Sequence, residues 1–369
     1  MIRFLWLCSL LLWPARWAQA QTPEAAERHT ATIDSAAAVH YQVGYRLFQA
    51  QSFRSAIPEL EQAVAADSAY GDAFYTLGLS YGHLNEYDKA INAIEAAQNR
   101  EMSAQNLKEG IPSILSSFYQ KSAATFFRQN KYQEAIIRYE KSLAINPQDA
   151  KAQYSLGVCY SRMRNTEAAR RAYAKAIEVD PSYAKAYKAL GDLQRQSRNY
   201  GPAIEAYQKA LALDSTLAEA WGGLARSQID SQDLEGALKT LRQTLEINTK
   251  YQEGYVLLGY VLNQLGRQQD AIAPLRRAVD LEGEDPEAHF RLAEAYYALG
   301  DYRNTLRAAQ NSLQYKKDNH PAEVTLADTY LKLGQKEQAR VWYKKALVDS
   351  RFKDYCAHQL EELSKPPPP

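Results

Sequence analysis

Residues 184–217 read AKAYKALGDLQRQSRNYGPAIEAYQKALALDSTL, and residues 218–251 read AEAWGGLARSQIDSQDLEGALKTLRQTLEINTKY. Laid one above the other, they place small and large apolar residues at matching offsets. The offset is 34 residues, and it continues outward: Ala135, Ala169, Ala203, Ala237 and Ala271 are each 34 apart, as are Gly157, Gly191, Ala225, Gly259 and Ala293. A period in this range marks stacked helical hairpins, each burying a face on its neighbours.

Within one copy the apolar spacing is helical. Tyr187, Leu190 and Gly191 fall three and four apart on one face of a first helix. Gly191 has no side chain, so a second helix can approach there, and that packing offsets its helix-propensity cost of about 1 kcal/mol against Ala. Ala203 supplies the facing small surface, and Tyr207, Ala210 and Leu211 continue the buried face of the second helix. Asp180-Pro181 and Asn146-Pro147 end second helices, because proline disfavours a helical conformation in the residue before it.

An aromatic residue, Leu-Gly and Tyr in the first helix, then Ala, Tyr and Ala in the second, with Asp-Pro at the exit, resembles the tetratricopeptide repeat. The resemblance implies an all-α fold, a right-handed superhelical solenoid of about nine helix-turn-helix units. Seven consecutive windows begin at Ser116, Ala150, Ala184, Ala218, Gln252, Pro286 and His320 and run through Lys353; two earlier windows begin at Ala37 and Gly71. The expected organisation is thus repeats one and two over 37–104, an insertion over 105–115, and repeats three to nine over 116–353. The insertion is expected to be non-helical, a surface loop or a bend, because Gly110 and Pro112 interrupt a helix. Pro58 and Pro274 are expected to bend their second helices or end them early. Residues 354–365 read as a terminal capping helix, with Leu360 and Leu363 covering the last repeat, and 366–369 as a proline tail.

The first 20 residues read as a cleavable export signal: Arg3, the apolar run Phe4 to Trp13, Pro14, and the small-x-small site Ala18-Gln19-Ala20 before Gln21. That run is too short to span a bilayer, which takes about 20 apolar residues. A polar, Ala-rich segment follows over 21–36. The expected location is exported, periplasmic in a two-membrane source and extracellular otherwise, with no transmembrane span in the mature chain. The net charge of +1 over 369 residues argues against a general nucleic-acid binder. Cys159 and Cys356, the two cysteines left after cleavage, read as small packing residues.

No reactive constellation stands out. No two histidines sit at the spacing of a zinc-binding helix, no cysteine pair has ligand spacing, and Gly222-Gly223 lacks the flanks of a phosphate loop. His40 and His289 occupy the aromatic slot of the first helix, where packing accounts for them. The reading is a chain with no cofactor, no metal and no catalytic residues.

In tetratricopeptide arrays the first helices line the concave groove. Transferred to this chain, that implies three zones. The first is aromatic: Tyr41, Tyr45, Phe48, Tyr75 and Leu79. The middle zone is basic: Lys121, Arg128, Lys151, Arg162, Lys185, Lys188 and Arg195, opposed mainly by Asp192. The last leans acidic, with Glu219, Asp230, Glu253, Glu287, Glu294 and Asp328 diluted by Arg226, Arg291 and Lys332. Glu219, Glu253 and Glu287 lie in first turns, where an acid favours the helix dipole; Lys151 and Lys185 lie there with the opposing sign, at a cost of about 0.3–1 kcal/mol each. The expected partner is therefore a protein or peptide, acidic where it meets the middle groove, and reversing Lys185 and Lys188 to Glu is expected to weaken its capture. The chaperone-tail version of this groove uses a Lys followed four residues later by Asn; here Lys188 is followed by Asp192, which spoils the acceptor site. The competing reading is a glycan- or lipid-handling envelope protein that uses the aromatic zone.

Overall fold

The computed structural model describes residues 34–365. The export-signal stretch, most of the 21–36 segment and the proline tail lie outside the described residues. The chain divides into two compact units, 1–181 and 182–369.

The first unit is built from α1 (Ser35–Gln49), α2 (Phe53–Ala66), α3 (Gly71–His83), α4 (Tyr87–Gln98), α5 (Gln105–Arg128), α6 (Tyr132–Ile145), α7 (Ala150–Arg162) and α8 (Thr166–Val179). The second is built from α9 (Ala184–Gln196), α10 (Tyr200–Leu213), α11 (Ala218–Asp230), α12 (Leu234–Ile247), α13 (Gln252–Gln264), α14 (Gln268–Leu281), α15 (Pro286–Ala298), α16 (Tyr302–Tyr315), α17 (His320–Lys332), α18 (Lys336–Ala346) and α19 (Lys353–Glu362). No strand occurs among the described residues. In each unit a first and a second helix form a hairpin, and the second helix packs on the first helix of the next hairpin.

The close approach within a hairpin depends on the small position of the first helix. A Cβ built on Gly259 would lie 2.2 Å from Leu275 Cγ, and one on Gly157 would lie 2.5 Å from Tyr173 Cε1. Leu275 is fully buried and Tyr173 nearly so. The tight turn inside each hairpin requires one left-handed residue, and these recur at the repeat period: Asn130, Arg164, Arg198, Gln232, Gly266, Gly300 and Gly334. The backbone then closes the first helix with a six-to-one bond, as in Asn199 N–H to Gln194 C=O at 2.8 Å. Asp149, Asn165, Asp233 and Asp301 cap the next helix by accepting a backbone N–H.

One local expectation is corrected and a second is narrowed. Residues 105–115 are neither a loop nor an interruption, because α5 runs unbroken for 24 residues through Gly110 and Pro112. Its added turns carry an apolar stripe, with Ile111, Ile114 and Leu115 buried and Leu107 packed in the same cluster as Ile91 and Ile94 of α4. Burial of such side chains gives about 1.5–3 kcal/mol each, enough to offset the roughly 3 kcal/mol cost of an interior proline. The strap before it is pinned where Ser103 N–H meets both oxygens of Asp72, at 3.2 and 3.1 Å. Nor does Pro58 or Pro274 end its helix early: α2 and α14 each continue for two turns beyond it.

At the C-terminal end α19 lies on α18, and Leu360 and Leu363 join Tyr343, Ala346 and Cys356 in one apolar cluster. Asp328 of α17 ties this end together, accepting from Tyr343 Oη at 2.5 Å and Tyr355 Oη at 2.8 Å.

Candidate protein-interaction surface

A groove of about 550 Å³ in the second unit shows which repeat positions face inward. Its walls come from the first helices: Arg195 of α9, Arg226 and Asp230 of α11, Glu253 and Leu257 of α13, and Arg291 of α15. The period carries these positions into the first unit. Lys151 lies three repeat lengths before Glu253, Lys121 four before Leu257, and Arg128 and Arg162 three and two before Asp230.

In the first unit these four cations are exposed. Lys121 lies 5.8 and 5.9 Å from the ring centroids of Tyr87 and Phe118. Arg128 donates within its own helix, to Ala124 C=O and Thr125 Oγ1. The ion pairs of this unit involve His40, Lys89, Arg138, Arg170 and Lys175 instead. Among the described residues, none of these four cations has a carboxylate at ion-pair distance. Residues 116–128 and all of α7 contain no Asp or Glu. Asp149, just ahead of α7, is engaged by Gln120 Nε2 at 2.8 Å and by the Ala152 N–H.

The aromatic zone of the same unit packs against itself. Tyr75 is buried. Tyr41 sits between Tyr45 and Tyr70, with centroids at 5.6 and 4.8 Å. Burial, followed by the nearby Asp72, pushes the Tyr41 hydroxyl well above its ordinary pKa. Phe48 meets Phe53 and His83 edge-on, and Phe53 and His83 stack at 4.1 Å. Burial, then Lys121, lowers the His83 pKa. Tyr45 and Leu79 are half-buried.

In the second unit several of the inward charges are matched. Lys188 Nζ lies 3.0 Å from Asp192 Oδ2, and Asp192 also accepts from Tyr207 Oη at 2.7 Å. The Asp214 carboxyl is held low by hydrogen bonds from Thr216, and the charge of Lys185 adds to them. Arg226 pairs with Glu253. Arg291 pairs with Glu287 and Glu294 at 2.7 and 2.8 Å and lies 4.6 Å from the Tyr260 ring centroid. Burial opposes the Arg291 charge, but the two glutamates outweigh it and raise its pKa; burial pushes Glu294 up as well. Asp328, read in the sequence as groove-facing, is the half-buried acceptor of two tyrosines, and burial raises its pKa. Glu219 and Lys332 are exposed.

The sequence reading missed the tyrosine–aspartate ties and the Arg226–Glu253 ion pair between neighbouring first helices. A signal for the ties was present: Asp192 and Asp328 are four repeat lengths apart, and so are Tyr207 and Tyr343. His289 is buried, bonded to Gly283 C=O at 2.9 Å and stacked on Tyr315. Cys159 and Cys356 are free and buried, and burial pushes their thiols up to about 12 and about 11. Among the described residues no group of three or more His, Cys, Asp or Glu gathers into a metal site, and no helix is long and apolar enough to cross a membrane.

Comparison with known proteins agrees with this geometry. The family model for the C-terminal domain of cilia and flagella-associated protein 70, a tetratricopeptide-repeat domain, matches residues 95–363, and a tetratricopeptide repeat model matches 41–106. The chain belongs to the tetratricopeptide repeat family. Among solved structures, the C-terminal part of a tetratricopeptide-repeat protein from Cytophaga hutchinsonii overlays with a TM-score of 0.54 at 16% identity, covering 65% of this chain and 98% of that one. PilF of Pseudomonas aeruginosa overlays at 0.49 with 22% identity, covering 57% and 97%. YrrB, described as having an unusual peptide-binding site, overlays at 0.45 with 24% identity, covering 52% and 99%. These likenesses are of fold. No curated protein sequence matches the chain.

Proposed function

We propose that this chain is an exported, non-enzymatic scaffold of the cell envelope, and that the inward face of α5 and α7 docks an acidic segment of a protein partner. One observation carries the docking site: four inward cations without a carboxylate partner, on helices that hold no acid over the facing stretch. An acidic segment supplies what that face lacks, and complementary charge raises both encounter rate and selectivity. Lys151 strengthens the case, since it sits against the helix dipole and no internal contact accounts for it. The family's solenoid architecture supports a scaffold role, because stacked repeats present extended binding surfaces. The glycan or lipid reading is the weaker one, as the rings of Tyr41, Phe48 and Tyr75 are taken up by packing on each other and their neighbours.

Fluorescence anisotropy of a labelled oligoglutamate peptide with the full chain tests the docking site. Binding is expected to weaken as salt rises and to fall about tenfold in a Lys121→Glu/Lys151→Glu variant. Binding indifferent to both changes would sink the assignment. Export is tested separately, by N-terminal sequencing of the chain recovered from its native host, with Gln21 as the expected first residue.

A further inference from the structure

The groove of the second unit has a different chemistry from the cationic face of the first. Its floor is apolar, formed by Ile229, Val256, Leu257 and Tyr260. Most of its ionic groups are already matched: Arg226 by Glu253, and Arg291 by Glu287. Asp285 accepts from Gln252 and caps α15 through the Glu287 N–H. Two lining groups are left over. Asp230 is exposed in the last turn of α11, where a carboxylate opposes the helix dipole, and no hydrogen bond or ion pair engages it within the described residues. Arg195 keeps its Nε buried with no acceptor. The lining holds three arginines against four carboxylates, which leaves a slight excess of negative charge.

We infer that this groove is a separate docking site for an apolar peptide segment carrying one basic residue, with its apolar side chain on the floor around Leu257 and its cation at Asp230. The internal ion pairs leave a strongly charged segment little to gain, while the floor rewards apolar burial. A cation at Asp230 relieves the unfavourable placement of that carboxylate. This reading goes beyond the acidic-segment face and stands on different residues.

Three fluorescein-labelled heptapeptides test it on the full chain: leucine-flanked peptides identical except for a central Lys, Gln or Glu. The Lys probe is expected to bind about tenfold more tightly than the Glu probe, the gap being set by one close charge pair. Asp230→Asn should bring the Lys probe down to the level of the Gln probe, and Leu257→Ser should weaken all three, with circular dichroism unchanged. Lys121→Glu/Lys151→Glu should leave the Lys probe as it was, while the oligoglutamate peptide run beside it reports on the first unit alone. Failure of all three probes to bind overturns the inference. So does equal affinity for the Lys and Glu probes, a preference that survives Asp230→Asn, or indifference to Leu257→Ser.

Discussion

The two units repeat one hairpin geometry and treat the charges at equivalent repeat positions differently. In the first, Lys121, Arg128, Lys151 and Arg162 stand on α5 and α7 with no carboxylate beside them. In the second, Lys188, Arg226 and Arg291 are each held by an acid on their own or a neighbouring helix. The repeat frame alone therefore does not decide what a groove binds. That depends on whether the charges it displays are already spent on the fold.

If the second unit's charges hold its structure together, removing them should cost stability, while removing those of the first should not. Arg291→Ala should be the most costly, about 2–3 kcal/mol by urea unfolding, because it leaves the half-buried Glu294 unpaired. Lys151→Ala in the same assay should leave stability level or slightly higher; a comparable loss there would erase the distinction. Asp328→Ala strips the acceptor from Tyr343 and Tyr355 and should cost about 2 kcal/mol, seen as faster amide exchange in α19.

The same carboxyl gives a pH signature. Burial raises the Asp328 pKa above 3.8 in the folded chain. Between that ordinary value and the raised one, the folded state binds more protons than the unfolded state. The contribution of this group to stability therefore falls as pH rises through the window. Asp328→Asn should flatten that slope.

Smaller effects probe the frame the units share. Arg164 in the first unit and Arg198 in the second both occupy the left-handed turn position, with φ of 59° and 61°. Glycine at either should gain about 0.5–1 kcal/mol, and unequal gains would mean the turns are not equivalent. Lys151→Glu should gain about 0.3–1 kcal/mol by reversing an unfavourable dipole contact while it weakens the acidic probe.

Much of this was legible in the sequence. Helices begin at Ala150, Ala184, Ala218, Gln252, Pro286 and His320, because the 34-residue period fixes both the small packing position and the turn. The continuity of α5 was misread from Gly110 and Pro112, although Leu107, Ile111, Ile114 and Phe118 already formed a helical apolar stripe leading into the repeat. Periodic burial outweighs the breaker residues there. The groove-lining positions of the second unit were legible too, since they follow from the same period. Their pairing was not: whether Lys188 reaches Asp192, or Arg226 reaches Glu253, depends on side-chain geometry on the same helix or across to the next one. The bonds of Asp328 were not legible for that reason, as its partners Tyr343 and Tyr355 come from two later helices.

In the proposed docking face it is free cations, and not cations in general, that recruit the acidic segment. This is tested most directly by titrating the oligoglutamate probe against two double charge reversals. Lys121→Glu/Lys151→Glu is predicted to weaken binding about tenfold, and Lys185→Glu/Lys188→Glu, where Asp192 already pairs with Lys188 and Asp214 lies within electrostatic reach of Lys185, by less than about threefold. Equal losses in the two variants, or the larger loss in the second, would contradict the account.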